Sequence, residues 1–325
     1  MHAVDDKSYS ERTLQSLMRA LKVLAPVFED AEINEIMING PHDVFVRGRG
    51  PDVKLDVVLP GGAIQTAITL LASMSDKVVD KDTKVVSARL PGFRVEACMP
   101  PLAVKGPSMC IRRHATRVLT MDDYIASGTI NEQQAEVIAE LVDQRKNFLI
   151  AGGTYSGKTT LMNCVLSMIN PVQRLFVIEQ VHELKISSPN HVVVECDPDF
   201  GFDARRAVRM GMRYSPDRVL LGELRGPEAY DWIDAANTGH PGSGATIHAN
   251  SAFEALSRLE SLLTMAGTGM PFDVIQQRVA STVDYVMFIE QANGVRRLSQ
   301  ICRVDGFDRA SGKYQTVSLP TGENP

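Results

Sequence analysis

Residues Asn147 to Thr160 read Asn-Phe-Leu-Ile-Ala-Gly-Gly-Thr-Tyr-Ser-Gly-Lys-Thr-Thr, and this stretch decides the fold. The apolar run Phe148 to Ala151 predicts a buried strand, and the helical spacing of apolar residues after Thr160 predicts a helix. Between them lie Gly152, four further residues and then Gly157-Lys158-Thr159, which complete the phosphate-binding loop pattern. Such a loop wraps a polyphosphate with backbone amides and points the positive end of a helix dipole at it. The stretch therefore predicts nucleotide binding.

Two residues of the loop have specific predicted roles, and a third is unusual. Lys158 is expected to reach the β- and γ-phosphates, and Thr159 to offer its hydroxyl to Mg²⁺. Tyr155 stands where such loops usually carry glycine, so a positive φ there would strain the backbone. The alternative interpretation is a glycine-rich turn that carries a lysine by chance. We predict ATP and Mg²⁺ as cofactors and assign nucleotide binding to Gly152, Gly153, Thr154, Tyr155, Ser156, Gly157, Lys158, Thr159 and Thr160.

Length and composition indicate an ordinary soluble globular protein with room for two domains. The chain has 325 residues, of which 44% are hydrophobic and 22% charged. Its formal net charge of -5 argues against a general nucleic-acid binder. The five cysteines form no Cys-x-x-Cys pair, which favours reduced thiols in the cytosol. No apolar run reaches the length of a membrane span, and the charged N-terminus is not typical of a secretory signal.

The first part of the chain predicts a small α+β domain at residues 1–113, followed by a linker at 114–120. Helical apolar spacing precedes Pro26 and recurs from Gly61 to Ser75, while alternating patterns predict strands in between and after. One such strand, Ile33 to Ile38, is expected to end in a turn at Asn39-Gly40. Helices that cover one antiparallel sheet fit this order of elements.

Residues 121–325 predict an α/β domain with a parallel-rich sheet. Two helices are expected between Met121 and Arg145, ahead of the phosphate-binding loop. Beyond the loop, strands and helices alternate, which is typical of a parallel sheet with helices on both faces. We predict strands at 174–178, 192–195, 218–222, 244–247, 284–290, 297–304 and 313–318, and helices near 203–213, 226–238, 251–265 and 272–281.

Three of these strands deliver polar side chains to their C-terminal ends, where open α/β sheets place their ligands. The first leads to Glu179 and Glu183, which could position Mg²⁺ or water. The second leads to Glu223, in a pattern that resembles a Walker B strand, and predicts the catalytic carboxylate. The third delivers His248, a candidate sensor of the γ-phosphate. Each has a simpler alternative. Glu179 and Glu183 could belong to a solvated acidic loop, Glu223 could form a surface pair with Arg225, and His248 could be a structural histidine.

In order and spacing, these motifs resemble the secretion traffic ATPases, and most closely the TrbB-like conjugal-transfer ATPases of type IV secretion systems. The resemblance covers nearly the whole chain, including Ile33 to Asn39, Arg117 to Tyr124 and Arg303 to Asp308. It implies a PAS-like N-terminal domain and a RecA-like P-loop NTPase domain, with the nucleotide lying between the two. It also implies homohexameric rings.

The resemblance further implies that arginines of the N-terminal domain close on the phosphates, and Arg94 and Arg112 stand at the matching positions. A guanidinium is always ionised and can neutralise charge that develops on the γ-phosphate. The alternative for each is an exposed arginine at a strand edge. The chain departs from the family at Tyr155, where glycine is usual, and at Gln180, where aspartate is usual; both departures make slow hydrolysis conceivable.

The function expected from this resemblance is a traffic ATPase that energises substrate transfer or pilus assembly in a conjugative type IV secretion system. The expected partners are further copies of the chain and inner-membrane components of the system, including its coupling and other ATPases. The expected location is the cytoplasm, at the inner membrane.

Three other functions stay open from the sequence. A pilus or type II secretion motor is disfavoured because the chain lacks the Cys-x-x-Cys element often seen in the type II group. A DNA-binding RecA-like protein is favoured by a stripe of arginines four residues apart, Arg205, Arg209 and Arg213. A nucleotide-sensing scaffold that barely hydrolyses is suggested by Tyr155 and Gln180.

Overall fold

The computed structural model describes residues 3–48, 50–74, 84–114, 117–197, 201–292 and 294–319. The chain divides into two compact units, Met1–Thr116 and Arg117–Pro325. This boundary falls inside the segment expected to be the linker. The five cysteines form no disulfide with one another.

The N-terminal unit is a six-stranded antiparallel sheet with helices packed on one face. The strand order is β3-β2-β1-β6-β5-β4. Every second residue of β4, such as Val86 and Ala88, is buried against the helices, where Leu17 and Leu71 complete the core. The elements are α1 (Ala3–Ala20), α2 (Ala25–Glu29), β1 (Glu35–Gly40), β2 (Asp43–Arg47), β3 (Val53–Lys54), α3 (Ala63–Met74), β4 (Val85–Leu90), β5 (Phe93–Cys98) and β6 (Ser108–Arg113).

The turn predicted at Asn39-Gly40 is wrong by two residues. β1 continues through Gly40, which pairs with Asp43, so the turn consists of Pro41 and His42. The Asn-Gly signal depends on positive φ angles, and Gly40 has none. Pro41 has no N–H to donate to a ladder, so the strand pairing ends there instead.

The C-terminal unit is an eight-stranded sheet covered by helices on both faces, which confirms the predicted α/β class. The strand order is β14-β13-β12-β7-β11-β10-β8-β9, parallel from β12 to β9. Its strands are β7 (Phe148–Gly152), β8 (Leu175–Glu179), β9 (His191–Glu195), β10 (Arg218–Leu224), β11 (Gly244–His248), β12 (Tyr285–Ala292), β13 (Val295–Asp308) and β14 (Lys313–Ser318). Its helices are α4 (Met121–Ala126), α5 (Glu132–Asp143), α6 (Lys158–Ser167), α7 (Ala204–Gly211), α8 (Glu228–Asn237), α9 (Ala252–Met265) and α10 (Phe272–Thr282).

Two apolar cores hold the helices on this sheet. One core surrounds the fully buried Trp232 and contains the inward residues of α7 to α10. The other contains α5 and α6 and the opposite sides of the same central strands, including Phe148 and Ile150. Because β7 lies between β12 and β11, the loop that follows it is surrounded by the C-terminal ends of parallel strands. No helix in the described parts of the chain is both long and apolar enough to cross a membrane.

Candidate functional site

The phosphate-binding loop connects β7 to α6, and its backbone requires glycine at two positions. A Cβ on Gly152 would lie 2.2 Å from the carbonyl oxygen of Ile289 and 2.5 Å from Ser156 Oγ, so no larger residue fits. Gly157, just before the first helical residue, has a φ of 102°. The sequence spacing of the two glycines therefore follows from the shape of the loop.

Tyr155 has a φ of 62°, in the left-handed region. A side chain with a Cβ is disfavoured there by about 1–2 kcal/mol. This is the positive φ at which a non-glycine residue in the loop is expected to be strained. The loop therefore holds a tyrosine in a conformation that glycine adopts more readily.

Lys158 places its ammonium inside the loop. The residue is 8% exposed, and Nζ donates to the carbonyl oxygens of Gly152 at 2.9 Å and Gly153 at 2.7 Å. Nζ also lies 3.4 Å from His248 Nδ1. A buried positive charge surrounded by the amides of a loop and a helix N-terminus suits a polyphosphate.

The remaining loop residues differ in exposure. Ser156 is buried and donates from Oγ to the carbonyl oxygen of Gly153 at 2.9 Å. Thr154 is exposed, while Thr159 and Thr160 are half-buried in the first turn of α6. The metal role of Thr159 stays a prediction.

Glu223 and His248 lie together at the C-terminal ends of the adjacent strands β10 and β11. Glu223 Oε1 is 2.7 Å from His248 Nε2, and Oε2 is 2.6 Å from an Nη of Arg225. Glu223 Oε1 is buried and accepts no hydrogen bond from the described residues. That oxygen is therefore placed to accept a proton or a hydrogen bond from a ligand.

His248 sits between Lys158 and Glu223, and its environment favours the neutral ring. Burial and the positive charge of Lys158 lower the pKa of His248, and Glu223 opposes them. A neutral ring whose Nδ1 faces the lysine carries its proton on Nε2, towards Glu223. The lysine, histidine and carboxylate thus form one continuous polar group next to the loop.

Glu179 is engaged with the loop that follows its own strand. It is 4% exposed; Oε1 accepts from the backbone N–H groups of Glu183 and Leu184 at 2.9 and 2.8 Å, and Oε2 lies 2.9 Å from His182 Nδ1. Asn163 of α6 accepts from the Lys185 backbone N–H at 2.7 Å and so ties the same loop to the phosphate-binding helix. The acidic segment is therefore held beside α6.

The metal site predicted at Thr159, Glu179 and Glu183 stays a prediction. Among the described residues, no group of three or more His, Cys, Asp or Glu side chains could hold a metal ion by itself. Mg²⁺ in nucleotide sites is bound by one or two protein groups together with phosphates and waters, so the threonine and acidic segment fit such an ion only with a nucleotide present.

Arg94 and Arg112 lie in the N-terminal unit as direct partners across β5 and β6. Their chain neighbours Val95 and Ile111 are buried, so the two arginines occupy the sheet face opposite the helices. Arg89 continues the same row on β4. The register places the three arginines in one row across the sheet, and the role of Arg94 and Arg112 at the phosphates stays a prediction.

Of the three arginines predicted to form a stripe on one helix, Arg205 and Arg209 lie on α7, whereas Arg213 lies beyond its last residue, Gly211. Arg205 Nε donates to Asp231 Oδ2 and Arg209 Nε donates to Asp231 Oδ1, both at 2.7 Å. The side chain of Asp231 is 6% exposed. The two arginines hold α7 against α8. The structure thus accounts for two of the three arginines without a nucleic acid.

Several residues around the site have contacts that were not predicted from the sequence. Arg225 donates to Gln180 Oε1 at 2.8 Å as well as pairing with Glu223, and Arg258 of α9 is close enough to lower the pKa of His248 slightly. The contact of Arg225 with Gln180 and the proximity of Arg258 to His248 leave no pattern in the local sequence. Only the pair of Glu223 with Arg225 was suggested, by their Glu-x-Arg spacing. Asn163 connects residues more than twenty positions apart, and no spacing in the sequence indicates it.

Comparisons with known proteins show which family the chain belongs to and which solved structures share its fold. The family model described as "Type II/IV secretion system protein" matches residues 19–322. A probable conjugal transfer protein TrbB of Sinorhizobium fredii is 36% identical over 94% of both chains, and a conjugal transfer protein TrbB of Rhizobium radiobacter is 34% identical over 90% of both. The VirB11 ATPase of the Brucella suis type IV secretion system, solved with sulphate, is 27% identical with a TM-score of 0.50 and covers 92% of this chain and 95% of its own. The ATPase DotB of Yersinia pseudotuberculosis, at 18% identity and a TM-score of 0.64 over 94% of this chain and 79% of its own, shares the fold.

Proposed function

This chain belongs to the type II/IV secretion system protein family, and on that premise we propose that it is an ATP hydrolase of a conjugative type IV secretion system. The family resemblance deduced from the sequence is thereby confirmed. Relatives at 34–36% identity are named for conjugal transfer, and a structural relative at 27% identity is named an ATPase of type IV secretion. These names support the activity and the system in which it serves.

One observation carries the proposal: Lys158, His248 and Glu223 form a connected polar group beside a phosphate-binding loop. Lys158 stabilises negative charge on the terminal phosphates from inside the loop. Glu223 accepts a hydrogen bond, and then a proton, from the water that attacks the γ-phosphate. The neutral His248 directs its Nε2 proton towards Glu223, 2.7 Å from Oε1, and lies between the carboxylate and the lysine without adding a second cation.

Further residues complete the proposed site. Mg²⁺ supplies neutralisation of the phosphate charges, and Thr159 with Glu179 or Glu183 would hold it and its waters. Glu179 also fixes the 182–184 loop through its backbone contacts. Arg94 and Arg112 contribute positive charge towards the phosphates, which their shared row on one sheet face supports.

The assembly and location follow from the family and are part of the proposal. We propose a homohexamer that converts hydrolysis into domain movement at the cytoplasmic side of the inner membrane. Its partners there are the membrane components and other ATPases of the same secretion system. The names of the relatives support this setting.

Phosphate release from ATP, measured with Mg²⁺ on the full chain, tests the proposed activity. Glu223→Gln keeps the size of the side chain but removes the base, so we expect a loss of about 10²- to 10⁴-fold. Glu254→Gln makes the same change at an exposed residue of α9 and serves as the matched control. Equal rates in wild type and Glu223→Gln would contradict the assignment. A wild type that binds ATP but releases no phosphate would favour the nucleotide-sensing scaffold.

A further inference from the structure

The hairpin of β12 and β13 extends past the strand that carries the phosphate-binding loop. β12 runs parallel to β7 with Phe288 opposite Ala151, and it continues to Ala292, beyond the level of Gly152. β13 returns with Arg296 opposite Gln291. The register therefore places Arg296 beside the loop rather than beside the strand.

Arg296 packs directly on the loop. A Cβ on Gly157 would lie 3.4 Å from Arg296 Cδ and 3.6 Å from its Nε. Leu298, two residues further on, is buried in the core that contains α6, so alternation along the strand puts Arg296 on the same face. Arg296 Nε is buried and has no hydrogen-bond partner among the described residues. A buried donor of this kind is costly unless an acceptor reaches it.

The strand order fixes which end of a bound nucleotide Arg296 would meet. Lys158 Nζ faces His248 on β11, and Glu223 lies one strand further, on β10. The reacting terminal phosphate therefore belongs on the β11 and β10 side of β7. The rest of the nucleotide extends away from that side, towards β12 and β13, where Arg296 lies.

We propose that Arg296 is a binding residue for the nucleoside half of the nucleotide, with its guanidinium donating to the ribose or stacking on the base. The inference rests on the proposed ATP site. A guanidinium suits this position because it presents several donors in one plane and also stacks on aromatic rings. The contact lies away from the γ-phosphate, so it strengthens binding of ATP and ADP more than it affects the chemical step.

Calorimetric titration of the full chain with two probes, ADP and inorganic tripolyphosphate, each with Mg²⁺, tests this proposal. In Arg296→Gln, whose side chain still covers Gly157, we expect ADP to bind about tenfold more weakly and tripolyphosphate to bind within twofold of wild type. In steady-state assays KM for ATP rises about tenfold, while kcat falls less than threefold. Arg297→Gln is the matched control, because Arg297 is the adjacent residue on the opposite, exposed face.

Equal weakening of both probes, or unchanged ADP binding, would overturn the proposal. Arg296→Lys retains the positive charge and is expected to recover part of the ADP affinity, and it is the variant to use if Arg296→Gln does not fold. A wild type that binds neither probe would instead overturn the proposed ATP site. A wild type that binds ADP, with Arg296→Gln indistinguishable from it, would overturn only the role of Arg296.

Discussion

At the residue scale, Tyr155 carries a conformational cost inside the phosphate-binding loop. Its φ of 62° is one that glycine adopts freely and other residues do not. We expect Tyr155→Gly to be more stable than Tyr155→Ala by about 1 kcal/mol, or about 2 °C in melting temperature, because both variants lose the same side chain contacts. Melting curves of the two variants measure the difference. If the alanine variant is as stable as the glycine variant, the backbone there is not strained.

A second residue-scale prediction concerns His248 and pH. Its pKa in the folded protein is lowered below the ordinary value of 6.5, mainly by burial and then by Lys158. The unfolded state therefore binds more protons than the folded state in the range just below pH 6.5, and stability is lost as the pH falls through that range. We expect the melting temperature of wild type, relative to that of His248→Gln, to decrease from pH 8 to pH 5.5. A constant difference would show that His248 titrates normally.

Residues of the loop were predictable because the backbone leaves them little choice. Gly152 has no room for a Cβ, and Lys158 must follow Gly157 to enter the loop. Asn163 and Arg225 were not predictable as site residues, because each acts on a segment distant in sequence, at Lys185 and Gln180. Such contacts depend on the folded arrangement of strands and leave no spacing pattern.

At the scale of elements, α7 and α8 are joined by a charged clamp at Asp231. Its side chain is 6% exposed, whereas those of Arg205 and Arg209 are 28% and 58% exposed. Loss of a buried ion pair usually costs about 3–5 kcal/mol, and the exposure of the arginines reduces this. We expect Asp231→Asn to destabilise the protein by about 2 kcal/mol, or about 4 °C in melting temperature.

Asp234→Asn is the matched control for this clamp. Asp234 lies on the same helix and pairs with Arg278, but its side chain is 41% exposed. Its loss is expected to cost less than about 1 kcal/mol. Equal melting temperatures for the two variants would contradict a clamp between α7 and α8.

The strands and helices of the C-terminal unit were predicted to within a few residues, because buried parallel strands are continuous apolar runs bounded by polar turns. The turn after β1 was misplaced because the Asn-Gly signal competes with Pro41, which ends the strand pairing. Arg205 and Arg209 of α7 were visible in the sequence as a basic face, but their partner was not, since Asp231 lies on another helix. Helix periodicity shows which residues share a face and does not show what that face contacts.

At the scale of the whole molecule, the order of motifs was more informative than composition. A net charge of -5 and scattered cysteines describe many soluble proteins. The succession of a phosphate-binding loop, two acidic segments and a histidine predicted one family, and the match over residues 19–322 confirms it. The likeness of the N-terminal unit to a PAS domain stays a prediction, although its antiparallel sheet with helices on one face has the predicted α+β composition.

The central claim is that the loop holding Lys158 binds ATP and that Glu223 acts on it only in the chemical step. Equilibrium binding of ATP with Mg²⁺ to Lys158→Ala and Glu223→Gln separates these two roles. We predict that Lys158→Ala binds ATP at least tenfold more weakly than wild type, while Glu223→Gln binds within about threefold of wild type or more tightly, since it removes a negative charge beside the phosphates. Wild-type affinity in Lys158→Ala, or loss of ATP binding in Glu223→Gln, would contradict it.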